Sequence, residues 1–218
     1  MRKILIIGCG GQGRETQWLI DRINQKNPTW QIEGYLDDGV LAGTHINEYQ
    51  VLGGIKTLEM YNEKETALVC AIASSKEREI LTKRVKNIGE FKFPNLIEPS
   101  VLMNDYVTMG EGNIICANTL LSVNITIGDF VFIDWDCKIG HDAVLNSFVT
   151  LHSSVNVSGD VTVKGGTEIG IGTQITQGKT IGEGSTVEAG SVVLQDIPPS
   201  CVAVGAPAKP VKFLNADT

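Results

Sequence analysis

The chain has few histidines, few aromatic residues and no long apolar run. Aromatic residues make up 6% of it, and its three histidines are His45, His141 and His152. The apolar run near the N-terminus, residues 4–7, stops at Gly8. This run is too short for the core of a signal peptide and far too short to cross a bilayer. We therefore expect a cytoplasmic protein that does not bind a membrane.

An excess of positive charge and a pattern of paired cysteines are absent as well. The formal net charge is −7. Residues 1–96 hold 13 Lys and Arg against 12 Asp and Glu, whereas residues 97–218 hold 5 against 13. Nucleic acid is therefore not expected as a main partner. The five cysteines are scattered and form no Cys-x-x-Cys pair, which is typical of a reducing compartment.

The dominant feature of the sequence is a period of six residues in its second part. An aliphatic residue or Met returns at every sixth position without a slip. The positions are Ile97, Met103, Met109, Ile115, Leu121, Ile127, Ile133, Ile139, Leu145, Leu151, Val157, Val163, Ile169, Ile175, Ile181, Val187 and Val193. This period fits neither a helix nor an alternating strand, and an antiparallel sandwich rarely keeps one register for so long. It predicts a β-solenoid in which each hexad supplies a short strand and a corner.

The position four residues after each aliphatic residue is mostly small or β-branched, as a narrow interior requires. Asn113 and Lys179 break this pattern, and we expect them at bulged or outward corners. Three hexads per coil would give coils of about eighteen residues.

The first part of the chain alternates predicted strands and helices. The pattern predicts strands at residues 3–7, 30–36, 67–73 and near 91–93, with helices at about 14–27 and 76–85. The first helix should bury a face formed by Trp18, Leu19, Ile20 and Ile23. Such alternation favours a parallel sheet with helices packed on it. We thus expect an α/β, Rossmann-like domain over residues 1–96, followed by the solenoid domain over 97–218.

A glycine turn follows the first predicted strand. Gly8, Gly10 and Gly13 match Gly-x-Gly-x-x-Gly at the start of a helix, where backbone N–H groups can bind an anion. Asp37, 24 residues after Gly13, can bind ribose hydroxyls or a base edge. About 96 residues build only one mononucleotide-binding half, which favours a nucleoside diphosphate over a dinucleotide. Alternatively, the turn serves only helix–strand packing.

The candidate for a catalytic base is His141, in the corner sequence Ile-Gly-His-Asp. An imidazole suits proton transfer at neutral pH, and Asp142 can hold or tune it. Asp134 and Asp136 are rival carboxylates, and a simple solvated corner histidine is the alternative. A solenoid zinc enzyme needs three imidazoles, and residues 97–218 contain two, so no metal is predicted.

The eighteen-residue coil predicts what lies above this histidine. Gly159 follows His141 by eighteen residues, so we expect it at the same corner of the next coil. Its missing side chain would leave room for an acyl group or a pantetheine arm and expose N–H groups to an oxyanion. His152 is interpreted as a packing or interface residue.

Several motifs together resemble one family. They are the glycine turn 8–13, Leu36-Asp37-Asp38, Ala71-Ile72-Ala73, the hexads, Ile139-Gly140-His141-Asp142, Ile169-Gly170-Ile171-Gly172 and Val204-Gly205-Ala206-Pro207-Ala208-Lys209. The chain resembles the bacterial hexapeptide-repeat sugar acetyltransferases, which include bacillosamine and perosamine N-acetyltransferases and sialic-acid O-acetyltransferases. The resemblance implies a left-handed β-helix, a homotrimer with active sites between subunits, acetyl-CoA as donor and a nucleotide-linked sugar as acceptor.

The resemblance also implies roles for individual residues. His141 corresponds to the general base and Asp142 to its partner. Substrate-binding positions correspond to Gly10, Gly11, Gln12, Asp37, Asp38 and Ala73. Acetyl-CoA-binding positions correspond to Thr150, Gly159, Ile171 and Ala189. The chain departs from the family at four positions, because histidine is usual at 12, asparagine at 134 and glycine at 73, and some members have histidine at 150.

The predicted function is N-acetylation of the amine of a nucleotide-linked amino sugar, in the synthesis of bacterial surface glycans such as lipopolysaccharide or capsule. O-acetylation of a sugar of the sialic-acid type uses the same base and stays open. A non-catalytic trimeric scaffold that binds a nucleotide sugar is the alternative of another class.

Overall fold

The computed structural model describes residues 1–214. The chain forms two compact units, of which the first ends at Pro99 and the second begins at Ser100. This division lies three residues beyond the one expected from the sequence. None of the helices within the described residues combines the length and the apolarity needed to cross a membrane.

The first unit is built on a five-stranded sheet. Its elements are β1 (Arg2–Ile7), α1 (Gly11–Lys26), β2 (Trp30–Leu36), β3 (His45–Ile46), β4 (Tyr49–Gly53), a 3₁₀ helix (Ile55–Met60), β5 (Thr66–Cys70), α2 (Ser75–Lys86) and β6 (Leu96–Ile97). The strand order is β3-β4-β2-β1-β5, with β1 parallel to β2 and to β5. The β3–β4 hairpin and the 3₁₀ helix were not anticipated from the sequence, since short polar strands carry little periodic signal.

The register of the central strands aligns their carboxyl ends. Ile7 at the end of β1 pairs with Leu36 of β2 and with Cys70 of β5. The segments that follow these three strands therefore leave the sheet at one edge. In open α/β sheets this edge is where ligands bind.

Helix α1 corrects one expectation about packing. Leu19 and Ile20 are buried as predicted, but Trp18 is 49% exposed. The buried face includes Thr16 and Ile20, which are four residues apart. Trp18 lies two residues from each of them and therefore points to the other side of the helix.

The second unit confirms the solenoid. Two-residue strands recur every six residues and pair in parallel with strands eighteen residues away, for example Ile139 with Val157. The first face comprises Thr108–Met109, Thr126–Ile127, Val144–Leu145, Thr162–Val163 and Thr180–Ile181. The second comprises Ile114–Ile115, Phe132–Ile133, Thr150–Leu151, Glu168–Ile169, Thr186–Val187 and the closing hairpin Cys201–Gly205 and Ala208–Phe213. The third comprises Leu120–Leu121, Lys138–Ile139, Asn156–Val157, Gln174–Ile175 and Val192–Val193.

The hexad residues fill the interior of the coils, with two corrections near the start. From Ile115 onward they are at most 2% exposed, whereas Met103 is 37% exposed and therefore does not point inward. Asn113, expected at an outward corner, is fully buried. Its side-chain oxygen accepts a hydrogen bond from the backbone N–H of Val131 at 2.7 Å, which satisfies the polar group inside the coil.

Each corner contains a residue with left-handed backbone. At one corner these are Asn124, Asp142 and Asp160, with φ between 56° and 58°. Asn and Asp tolerate this conformation better than other non-glycine residues. Because the same backbone geometry repeats on each coil, the side chains of one corner form a column along the solenoid.

Candidate active site

His141 is fixed at its corner by the next residue in the chain. Its ring Nδ1 hydrogen-bonds to Oδ2 of Asp142 at 2.8 Å, and both side chains are about half exposed. Because a carboxylate only accepts, Nδ1 carries a proton and the neutral ring has its free lone pair on Nε2. The pair therefore presents a base to solvent with a defined tautomer.

Asp142 is in turn held by the coil below. The amide Nδ2 of Asn124 donates to Oδ1 of Asp142 at 3.1 Å. The hydrogen bonds from His141 and Asn124 hold the pKa of Asp142 below its ordinary value. Asp142 is thus ionised at neutral pH and stabilises a positive charge on the ring.

The rival carboxylates have other partners. Oδ2 of Asp134 accepts a hydrogen bond from the Ser153 hydroxyl at 2.5 Å. Asp136 forms an ion pair with Lys138 at 3.0 Å. Of the three candidates, Asp142 is therefore the one hydrogen-bonded to His141.

Gly159 lies directly against the imidazole. A Cβ added to Gly159 would stand 2.4 Å from Cε1 and from Nε2 of His141. The predicted placement on the next coil is confirmed, but the space that the glycine leaves is occupied by the ring itself. The expected room for an acyl group therefore does not lie directly between Gly159 and His141.

A further carboxylate, Asp160, stands at this corner. One oxygen each from Asp142 and Asp160 and one ring nitrogen of His141 lie within 4.8 Å of one another. Elsewhere in the described part of the chain, no three metal-ligating side chains come as close. All three are exposed to solvent, and we assign no metal to them. Sequence reasoning missed Asp160, although the eighteen-residue period that located Gly159 also leads from Asp142 to Asp160.

A groove of about 510 Å³ runs along a second corner of the solenoid. It is lined by Asp134, His152, Ser153, Glu168, Gly170, Ile171, Thr186, Val187, Glu188 and Ala189. Ile171 and Ala189, two of the predicted acetyl-CoA positions, thus lie in one groove, with Ile171 55% exposed. Thr150 is fully buried in its strand and is not among the lining residues.

In the first unit, two kinds of glycine make up the turn between β1 and α1. Gly8 has a φ of +93°, and a Cβ on Gly13 would stand 2.1 Å from the backbone oxygen of Gly8, so both are required by the fold. Gly10 and Gly11 have nothing within 4 Å of an added Cβ. Packing alone therefore explains Gly8 and Gly13 but not the open backbone at Gly10 and Gly11, where α1 begins next to Gln12.

Asp37 follows β2 and closes onto this turn. Its Oδ2 accepts a hydrogen bond from the backbone N–H of Cys9 at 3.0 Å, and its Oδ1 accepts one from Gly39 at 2.9 Å. Partial burial opposes ionisation, but these backbone hydrogen bonds lower the pKa of Asp37. The Cys9 thiol also donates to Oδ2, at 3.3 Å. Sequence reasoning did not anticipate the contact with Cys9.

The remaining two predicted substrate-binding residues, Asp38 and Ala73, accept hydrogen bonds from arginines. Oδ1 of Asp38 accepts from the backbone N–H of Ile55 at 2.8 Å, and Oδ2 pairs with Arg84 at 2.9 Å. The carbonyl oxygen of Ala73, after β5, accepts from Nη1 of Arg78 at 2.9 Å. The glycine turn, Asp37, Asp38 and Ala73 thus follow three adjacent strands at one sheet edge. The arginines carry no motif that reveals these roles in the sequence.

Comparison with known proteins agrees with this arrangement. The family model described as the PglD N-terminal domain matches residues 3–85. A GDP-perosamine N-acetyltransferase of Escherichia coli O157:H7 is 29% identical over 146 residues, which cover 66% of this chain. The match spans 65% of that relative's length.

Two solved structures resemble nearly the whole chain. The acetyltransferase domain of PglB from Neisseria gonorrhoeae FA1090, in complex with acetyl coenzyme A, has a TM-score of 0.88 and 28% identity. This match covers 96% of the present chain and 99% of the other. PerB from Caulobacter crescentus, in complex with CoA and GDP-perosamine, has a TM-score of 0.85 and 29% identity, with 95% and 96% covered.

The family model covers the α/β unit, and the two structural matches extend over the solenoid. The fold is therefore an α/β domain followed by a left-handed parallel β-helix. The chain is thus similar over its first unit to the PglD N-terminal domain, and over nearly its whole length to solved acetyltransferase structures.

Proposed function

We propose that this protein transfers the acetyl group of acetyl-CoA to the amino group of a nucleotide-linked amino sugar. The observation that carries the proposal is the ordered pair of His141 and Asp142, which leaves Nε2 as a base at an exposed corner. A relative named as a GDP-perosamine N-acetyltransferase and a similar structure with CoA and GDP-perosamine support this choice of substrates.

The reaction is a direct transfer. The sugar amine attacks the thioester carbonyl while Nε2 of His141 takes the amine's proton, and Asp142 stabilises the resulting imidazolium. Collapse of the tetrahedral intermediate breaks the carbon–sulfur bond, and the proton passes from the imidazolium to the departing CoA sulfur. General base catalysis of this kind contributes about 10²–10⁴-fold to the rate.

The nucleotide is assigned to the first unit. The open backbone at Gly10 and Gly11, next to Gln12 at the start of α1, suits a phosphate, because helix N-termini attract anions. The carboxylate of Asp37 keeps lone pairs for a ribose hydroxyl or a base edge beside its bonds to the backbone. Asp38 and Ala73 complete the same edge of the sheet.

The acyl donor is assigned to the groove that contains Ile171 and Ala189. Its wall also carries Glu168 and Glu188, whose charges repel phosphate groups. The uncharged pantetheine arm therefore suits this groove better than the diphosphate of CoA. Gly159 differs from its expected role, because its missing side chain leaves space for the His141 ring itself, next to the reacting atoms.

We further propose that the protein is a cytoplasmic homotrimer with its active sites between neighbouring solenoids. The half-exposed His141 leaves the base accessible to a groove of a second copy. Light scattering coupled to size exclusion tests the assembly. A monomer that retains full activity would contradict it.

The experiment that tests the function is a thiol-release assay with acetyl-CoA and a panel of nucleotide-linked 3-amino and 4-amino sugars. His141→Ala should lower turnover by about 10²–10⁴-fold. His45→Ala is the matched control, because His45 is exposed and lies in the hairpin of the first unit. Near-normal turnover of His141→Ala would refute the role of the base.

Two measurements separate the alternatives, the thiol-release assay and a thermal shift with acetyl-CoA. Faster transfer to the hydroxyl analogue of each sugar would indicate an O-acetyltransferase. A scaffold without catalysis would show no thermal shift with acetyl-CoA, whereas a ligand at one hundred times its Kd stabilises a protein by about 2.7 kcal/mol.

A further inference from the structure

The coil above His141 brings a second carboxylate to the base. Asp160 follows Asp142 by eighteen residues, and its side chain lies within 4.8 Å of a ring nitrogen of His141. We propose that Asp160 is a positioning residue that acts through His141, by stabilising the imidazolium formed when the base takes the proton of the acceptor. Its role in catalysis rests on the proposed acetyl transfer.

The fold fixes Asp160 in this place. Its backbone N–H donates to the carbonyl oxygen of His141 at 2.9 Å, which links the same corner of two neighbouring coils. Its φ of 56° matches the 58° of Asp142, so the two side chains leave the coils in the same direction. Coils of a parallel sheet are about 4.8 Å apart. The stacking of two aspartates beside one imidazole is therefore a product of the repeat.

The Asp160 carboxylate is also held at its far side. The amide Nε2 of Gln177, on the following coil, donates to Oδ2 of Asp160 at 3.1 Å. Asn124 holds Asp142 from the coil below in the same manner. An amide thus flanks each carboxylate. The two amides fix the negative charges without neutralising them, because an amide carries no charge.

The charged groups that face the ring can be enumerated from the register. On its own coil the charged group at the ring is Asp142, whereas the ammonium of Lys138 is paired with Asp136 at another corner. The coil below contributes the uncharged residues 123 and 124 to the corner, and the coil above contributes Asp160. Asp142 and Asp160 are therefore the two charges that act on the ring from these three coils.

The division of labour follows from the contacts. Asp142 hydrogen-bonds Nδ1 and sets the tautomer and the orientation of the ring. Asp160 contributes through its charge. A negative charge within 4.8 Å of a ring nitrogen attracts the proton that the ring takes up. Screening at 0.15 M salt, where the Debye length is about 8 Å, weakens this attraction.

The test is an NMR titration of the intact protein with isotope-labelled histidine. The chain has only three histidines, and His141→Ala identifies the signal of the catalytic ring. Asp160→Asn keeps a residue that tolerates left-handed backbone, and removing the charge should lower the titration midpoint of His141 relative to wild type, more at low salt than at 0.15 M. Asp136→Asn is the matched control, because Asp136 is exposed with a φ of 57° at a different corner.

The kinetic profile is the second readout. Without the charge of Asp160 the imidazolium is less stable, so the acid limb of the pH profile of kcat/KM should move to lower pH by the same amount. Asp160→Glu should restore most of the wild-type midpoint. An unchanged midpoint in Asp160→Asn, or an equal change in Asp136→Asn, would overturn the role of Asp160.

Failure of the function is distinguishable from failure of this inference. The NMR titration needs no substrate, so it measures the effect of Asp160 on the ring directly. If the midpoint moves but no acceptor is acetylated, the proposed function and the catalytic role are both wrong, and only the electrostatic contact stands. If acetylation occurs and the midpoint does not move, the inference alone is wrong.

Discussion

Replacing Gly159 with Ala should displace the His141 imidazole, the proposed base, while leaving the coil intact. The new Cβ would stand 2.4 Å from Cε1 and Nε2 of His141 and 2.9 Å from Cδ2. Carbon atoms in ordinary contact are about 3.5–4.0 Å apart, so the ring must withdraw by about 1 Å or turn away. The backbone of Gly159 lies outside the left-handed region, so the methyl group itself adds no backbone strain.

The size of the effect follows from what the displacement breaks. A withdrawn ring loses the 2.8 Å hydrogen bond between Nδ1 and Asp142 and carries Nε2 away from the acceptor amine. A misplacement of about 1 Å can cost about 10²-fold in rate. Because the side chain of His141 is 48% exposed, it can swing towards solvent, and the free energy of unfolding should change by less than about 1 kcal/mol.

The assay is steady-state kinetics with thermal unfolding on two variants. Gly165→Ala is the matched control, because Gly165 occupies the same hexad position on the next corner and also lies outside the left-handed region. A Cβ there would meet its nearest atom, the backbone oxygen of Ser147, at 3.2 Å. We expect Gly159→Ala to lower kcat by about 10²-fold, whereas Gly165→Ala should stay within about threefold of wild type.

The pattern of constants decides between two roles of Gly159. If the glycine mainly left room for the pantetheine arm, Ala would raise KM for acetyl-CoA with little effect on kcat. The observed contact with the ring predicts the reverse, a lower kcat with KM nearly unchanged. A kcat within threefold of wild type would refute the reasoning from the contact.

The stacking of residues along the solenoid axis could be predicted from the sequence because the number of residues per coil determines it. Once the period is eighteen, Ile139 must stack on Val157 and His141 must lie next to Gly159. The same step places Asp160 above Asp142, but Asp at a corner also serves left-handed backbone. The sequence alone therefore does not distinguish an Asp that contacts His141 from an Asp that is present for its backbone conformation.

Side-chain direction at the corners could not be predicted in the same way. Asp142 was the expected partner of His141, but Asp134 and Asp136, one hexad earlier, remained rivals on spacing alone. Which one makes the contact depends on rotamers and on competing partners such as Ser153 and Lys138. These contacts are set by packing and not by spacing.

The edge of the sheet in the first unit shows the same limit. The strand–glycine–helix pattern was sufficient to predict the turn, and the parallel sheet placed Asp37 near it. The hydrogen bond from Cys9 to Asp37, by contrast, depends on the close approach of two loops. Sequence periodicity carries no information on such loop contacts, because neither loop has regular structure.

Two further predictions concern the groups that hold this edge. Burial and the hydrogen bond to the Asp37 carboxylate raise the pKa of the Cys9 thiol to about 11, so alkylation of Cys9 at pH 8 should be slow. Asp37→Asn should accelerate this alkylation, measured by mass spectrometry of Cys9. An unchanged rate would contradict the contact. Arg78 is 2% exposed, and its Nη1 donates to the carbonyl oxygens of Ala73 and of the residue before it. Arg78→Met fills a similar volume but removes the buried guanidinium's hydrogen bonds to those part-buried carbonyls, so the free energy of unfolding in urea should fall by about 2–4 kcal/mol. Arg84→Met removes an exposed pair and should cost less than about 1 kcal/mol; equal losses in the two variants would mean that burial of the guanidinium does not decide its contribution.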